Sequence, residues 1–175
     1  MNCAEVNGGR EKGRCRSDGL HHEGSRMTQE GQGICIGDPQ GEYLQILIFG
    51  RSYPEATDFW DGNWLRSEVA AKIGGFQCRF EAALRAEEFR LFQAALAELH
   101  QSLNGDAVFS TLEGQVKITL KGDGQGHIDV RIRMCDLPGS GNRFEGEFRI
   151  DQTYLRGIQA GLDGLLADYP PIGTS

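Results

Sequence analysis

No stretch of this chain is apolar over the roughly 20 residues that a membrane-spanning helix needs; the longest apolar run, residues 46–49, is far too short. The N-terminal residues lack the apolar core of a secretory leader, so the chain is expected in the cytoplasm and not in or across a membrane. Basic charge is scarce: 18 Lys and Arg stand against 25 Asp and Glu, a net charge of −7. Phosphate neutralisation needs a clustered basic face, so nucleic acid is not expected as a partner. Paired cysteine motifs are missing. Cys3, Cys15, Cys35, Cys78 and Cys135 form an odd set without C-x-x-C spacing, and Cys78 and Cys135 read as reduced core thiols on the apolar side of strands. There is no Ser-centred elbow, no His-x-x-x-His pair and no Cys–His–Asp order. With no catalytic residue, metal set or cofactor loop to name, the chain reads as a non-enzyme.

The chain divides unevenly. Residues 1–40 hold no aromatic residue and few aliphatics, but eight glycines and charges of both signs. Such a segment cannot bury enough apolar area to offset its ordering entropy. It reads as a disordered tail, or as the product of a start codon set upstream of Met27, with a short strand near Ile34–Ile36 left open. The adjacent His21 and His22 lack partners for a metal. Residues 41–171 read as one domain and 172–175 as a C-terminal tail.

Within the domain, residues 43–50 (YLQILIFG) are a dense run of β-formers. Residues 64–73 and 76–84 alternate apolar and polar around Gly74-Gly75, the mark of a two-residue hairpin, with Phe76, Cys78, Phe80 and Ala82 inward. The period then changes. Phe89, Phe92, Leu96, Leu99 and Leu103 step by three and four, which makes one helical stripe. Glu87 and Glu88 suit its positive end, and Asn104-Gly105 is expected to supply its left-handed cap. Alternation returns in three or four further strands up to Ile150, with Arg and Glu interleaved on the polar side, so cross-strand ion pairs are expected. Asp151 is placed to cap a second helix whose apolar stripe is Leu155, Ile158, Leu162, Leu165 and Tyr169. Gly157, Gly161 and Gly164 weaken it unless they allow close packing. The expected fold is α+β: one curved antiparallel sheet of six to seven strands with two helices on one face, in the order β-ββ-α-ββββ-α.

Two segments invite a functional reading. GDGQGH (122–127) resembles a phosphate loop, but it joins two alternating strands and opens no helix, so it reads as a hairpin turn. FWDGNW (59–64) packs two tryptophans and a phenylalanine around turn residues. Asp58, Asp61 and Asn63 do not match the spacing of a calcium loop. As a corner of the fold, the segment would be a turn closed by an aspartate side chain. As a site, a tryptophan flanked by acids has the make-up of a protein-binding hot spot, and Asp58, Trp60, Asp61 and Asn63 are the candidate partner contacts.

FWDGNWL also resembles the (Y/F)WD-x-NWL signature of the WapI-type immunity proteins. GHIDV (126–130), Gly141-Asn142 and the run from Phe144 to Leu155 resemble the C-terminal half of the same family. The resemblance spans about residues 42–170. It implies a small bacterial cytoplasmic protein that binds and neutralises a cognate toxin domain, often a nuclease. An acidic chain is suited to steering toward a basic toxin. The residues alone leave two other classes open: a ligand-binding or enzymatic domain with a pocket between sheet and helices, and a scaffold that self-associates through its Arg/Glu sheet face.

Overall fold

The computed structural model describes residues 31–173; the expectations about the tail before Gly31, with His21, His22, Cys3, Cys15 and Met27, lie outside the described residues. The chain forms β1 (Gln32–Gly37), β2 (Tyr43–Arg51), β3 (Trp64–Ile73), β4 (Phe76–Arg85), α1 (Ala86–Ser102), β5 (Asn104–Ser110), β6 (Val116–Asp123), β7 (His127–Cys135), β8 (Arg143–Asp151) and α2 (Thr153–Asp168). The strands make two four-stranded antiparallel meanders, β1-β2-β3-β4 and β5-β6-β7-β8.

The class is therefore α+β, but the single curved sheet is two sheets, and one strand more than expected precedes β2. That strand, β1, lies inside the segment read as tail. Its Ile34 and Ile36 are fully buried opposite Ile46 and Leu44 of β2. Two isoleucines in a polar stretch are enough, because β2 and α2 supply the rest of their apolar surroundings.

The two sheets and both helices share one core. Leu44, Ile46 and Ile48 of β2, Leu65 and Val69 of β3, Ile118 and Leu120 of β6, and Ile128, Val130 and Ile132 of β7 all belong to it. Period-two alternation places these side chains on one face of each sheet. Phe89 and Phe92 of α1 stack on Phe109 of β5, at centroid distances of 5.0 and 5.6 Å. The sheets meet closely: a Cβ on Gly146 of β8 would stand 2.7 Å from Ile73 Cδ1 of β3. Buried Gln115 clamps them. Its Oε1 accepts from Ala83 N of β4, and its backbone oxygen accepts from Cys135 N of β7.

Several local expectations shift. The left-handed residue that ends α1 is Leu103 (φ 54°), not Asn104 or Gly105; Asn104 already belongs to β5. The conformation costs a non-glycine residue about 1–2 kcal/mol. Here the Leu103 side chain packs on the core and its oxygen accepts from Gly124 N, which offsets the strain. Asp151 ends β8, and Gln152 is the cap position of α2; Asp151 nonetheless accepts from Thr153 N. Phe76 is on the expected face but 74% exposed, because it lies at the hairpin tip beyond the core. Cys135 falls on the charged side of β7 and is half-buried, as are Cys35 and Cys78; all three are free thiols. The expected ion pairs are present on the outer face as Arg131–Glu147, Arg133–Glu145 and Arg149–Asp129.

The glycines of α2 divide by position. Gly161 lies against β1, where a Cβ would stand 2.9 Å from Gly33 O, and one on Gly164 would stand 2.3 Å from Gln32 Nε2. Gly157 is exposed with open space around it. Gly157→Ala is therefore expected to stabilise the fold by up to about 1 kcal/mol through helix propensity. Gly161→Ala should destabilise it by about 1–3 kcal/mol by pushing α2 off β1. Denaturant unfolding of the two variants checks the pair; equal shifts of the same sign would contradict the packing.

Candidate functional site

The FWDGNW segment closes the loop between β2 and β3, and its shape is set from within. Asp58 Oδ1 accepts from Trp60 N (2.8 Å) and Asp61 N (3.0 Å). These N–H groups, that of Asp61 foremost, hold the exposed Asp58 carboxyl below the usual aspartate range. Gly62 N bonds back to Asp58 O at 3.1 Å, a return so tight that a Cβ on Gly62 would stand 2.6 Å from that oxygen.

The loop is then fastened at two points. Asn63 is fully buried. Its Nδ2 donates to Phe59 O and to Ile172 O, both at 2.9 Å, and its Oδ1 accepts from Ile172 N at 2.8 Å. Arg51 adds donations to Gly62 O and Pro170 O. Residue 172, assigned to a tail from the sequence, is thus anchored to the loop.

The second point is Arg85, the last residue of β4, paired with Trp64 across the hairpin and only 2% exposed. Its guanidinium carbon lies 5.0 Å from the Phe59 ring centroid, 5.2 Å from that of Trp64 and 5.6 Å from that of Trp60. It donates to Phe59 O (3.0 Å), Trp60 O (3.3 Å) and the Glu87 carboxylate. A buried charge is tolerated only when paired and hydrogen-bonded, and ring faces add cation–π attraction. Glu88 completes the junction, accepting from Arg85 N (2.9 Å) and Leu112 N (2.6 Å). Burial pushes its carboxyl above the usual glutamate range, more than those two N–H groups pull it down.

Of the four candidate contacts, the loop presents Asp58, Trp60 and Asp61 to solvent and buries Asn63. Asn63 acts on the shape of the loop and has no surface to offer a partner. Trp60 is 64% exposed even though its ring sits edge-on to Phe59 at 5.3 Å. Leu112, 65% exposed, faces the same shallow cavity of about 300 Å³, floored by Phe59, Arg85, Glu87 and Ser110. Glu87 Oε2 is buried there without a hydrogen-bond partner among the described residues.

Arg85 and Leu112 were not anticipated. Arg85 had a signal: counting ten rungs out from Gly74-Gly75 sets it opposite Trp64. Leu112 had none, because only the packing of β5 against α1 brings it near. Elsewhere, a larger groove of about 510 Å³ crosses the outer face of β6–β8. Its Asp129, Arg131, Glu147 and Arg149 already pair with one another, and its Asp106 and Lys121 stand opposite each other on β5 and β6, so the charges of the lining balance. Asp123 accepts from Gln125 N and His127 N, so the 122–127 segment is a hairpin turn. Among the described residues no three His, Cys, Asp or Glu side chains form a metal-binding group, and no helix is long and apolar enough to cross a membrane.

Asn63→Ala, which strands the backbone groups of Ile172 and Phe59, should cost about 2–4 kcal/mol in chemical denaturation. A cost below about 1 kcal/mol would show that the anchor is dispensable. The raised Glu88 value carries its own sign. Its stabilising contribution is present below the ordinary carboxylate range and is lost as pH rises through the raised value. Glu88→Gln cannot lose it, so the variant's stability deficit should shrink as pH rises above the ordinary glutamate range. A deficit that grows with pH in thermal unfolding would contradict this.

The corner, the Arg51 contact at Pro170, and all strands but the first residues of β1 lie within one known pattern. The model of the family described as "Immunity protein WapI-like family" matches residues 35–170. A comparison with curated proteins gives no match, so no residue roles transfer from a relative. The family match covers well over half of the chain, and with the expected FWDGNWL and C-terminal motifs in place the chain belongs to the WapI-like immunity protein family.

Proposed function

We propose that this chain is an immunity protein that binds a cognate bacterial toxin one-to-one in the cytoplasm and covers its active surface, without catalysis of its own. Membership of an immunity family supports a toxin as the partner. The observation that carries the site is Trp60: a large aromatic ring, 64% exposed, on a loop whose backbone is fixed by Asp58, Asn63 and Arg85. A rigid aromatic anchor loses little conformational entropy on binding, which is why tryptophan dominates hot spots. Asp58 and Asp61 flank it, and the chain carries −7 overall, so a basic toxin surface, such as that of a nuclease domain, is the complementary partner.

Trp60→Ala is expected to weaken toxin binding by about 30-fold or more, the range of a hot-spot truncation. Asp61→Ala should mainly slow association and reduce its salt dependence. Asp61→Ala should leave the melting temperature nearly unchanged, and Trp60→Ala should lower it only by the few degrees that one of three ring contacts with Arg85 is worth. Calorimetric titration of the purified toxin domain, with thermal unfolding alongside, reads both quantities. A large fall in melting temperature with unchanged affinity would make the segment a corner of the fold and nothing more.

A further inference from the structure

The first sheet ends at β4, whose outer edge pairs with no strand among the described residues; beside Cys78–Phe80 it borders a shallow cavity of about 230 Å³ whose far side is Met134, Asp136 and the 142–144 segment. Ser67 Oγ of β3 donates to Ala82 O at 2.6 Å, so the backbone groups of Ala82 face β3. Ala83 N donates outward to Gln115 Oε1 at 3.2 Å. Alternation along the strand then turns the N–H and C=O groups of Gln77, Arg79 and Glu81 away from the sheet. None of these has a hydrogen-bond partner among the described residues. The edges are not all alike. β1 is covered by α2, which approaches Gly33 O, and β5 by α1. A strand edge with unpaired N–H and C=O groups is a template for pairing with another chain.

Charge on β4 narrows what can pair there. Glu81 lies directly across from Glu68 of β3, a like-charged pair that is destabilising. Arg79 bonds Glu68, but Glu81 has no ion-pair partner among the described residues. The edge is short of one cation beside Glu81. Two copies of β4 laid antiparallel about Phe80 would supply it: Arg79 of each falls opposite Glu81 of the other. Shifting that register by one hydrogen-bonding step sets Arg79 against Arg79, or Glu81 against Glu81. The free edge of the second sheet behaves in the opposite way. Pairing β8 with itself about Gly146 would set Arg143 against Arg149 and Glu145 against Glu147, and of these Glu145, Glu147 and Arg149 are already matched by β7.

We propose that two copies of this chain associate through their β4 edges, antiparallel and centred on Phe80. Arg79 of each copy then lies between its own Glu68 and Glu81 of the second copy. Each Arg79–Glu81 pair exchanges two N–H···O bonds, as opposed residues of an antiparallel ladder do. Half-buried Phe80 meets its counterpart on the inner side. Because Gln115 occupies Ala83 N, the ladder is short. It belongs with the small, transient interfaces, below roughly 1,200 Å², so the dimer is expected at about 100 µM protein and not at nanomolar levels. The loop that carries Trp60 lies beyond the other end of β4, next to Arg85, and stays free for a different partner.

Sedimentation equilibrium of the full chain from about 1 µM to about 1 mM should show a monomer–dimer equilibrium weakened by salt. Glu81→Arg is the informative variant. In the single copy it replaces the like-charged pair with Glu68 by an opposite-charged one, and so should leave the melting temperature equal or higher. In the dimer it brings two guanidinium groups face to face, the introduced one and that of Arg79 across the edge, and should weaken association by at least about tenfold. Arg79→Glu should weaken it similarly. The double variant R79E/E81R, which restores opposite charges across the edge, should recover the dimer. A chain monomeric throughout overturns the proposal, since a foreign strand on β4 would give that result. So does a dimer indifferent to Glu81→Arg, or one that the double exchange does not recover.

Discussion

Everything at the loop end of this molecule depends on a buried guanidinium. Arg85 ends β4, starts the turn into α1 and holds the loop by two of its carbonyls. A lone charge in that position would be costly. Glu87 supplies the countercharge, the rings of Phe59, Trp60 and Trp64 supply negative faces, and the carbonyls of Phe59 and Trp60 each accept one further hydrogen bond. The arrangement links a strand end, a helix start and a loop that are separate in sequence. A lysine could not replace it, because one ammonium cannot present a planar fork to two carbonyls and a carboxylate at once.

Holding and displaying are divided among neighbouring residues. Asn63 and Arg85 are buried and satisfied, so their cost of removal falls on stability. Trp60 gives one edge to Phe59 and leaves most of its ring in water. FWDGNW is therefore at once a corner of the fold and the display of an exposed ring. Asn63 shapes the corner, Trp60 is displayed by it, and the rigidity of the one keeps the exposed ring of the other in place. The acids follow the same logic. Asp58 spends one oxygen on the loop backbone, while Asp61 stands exposed next to Trp60.

Much of this was legible in the sequence, for a physical reason in each case. The hairpin around Gly74-Gly75, the α1 stripe from Phe89 to Leu99 and the charged ladder of β7 and β8 follow from periods of about 2 and 3.6, which are local. The number of sheets was not legible, because period-two alternation is the same whether strands join one sheet or two. β1 was left open for a related reason: Ile34 and Ile36 are a weak apolar signal until α2 and β2 surround them. The cap at Leu103 went against turn chemistry because burial of a leucine outweighed the αL penalty. At the site, Trp60 and the Asp58 turn could be read from residue types. Burial of Asn63 could not, since its partner is Ile172, more than a hundred residues away.

The central claim is that the fixed loop, and Trp60 above all, is the surface a toxin meets. Hydrogen–deuterium exchange of the chain, alone and in complex with its cognate toxin domain, tests this most directly. The account predicts new protection in residues 54–63 and in the neighbouring segment around Leu112, with the outer face of β6–β8 unchanged. Protection confined to that outer face, with 54–63 exchanging as in the free chain, would contradict it.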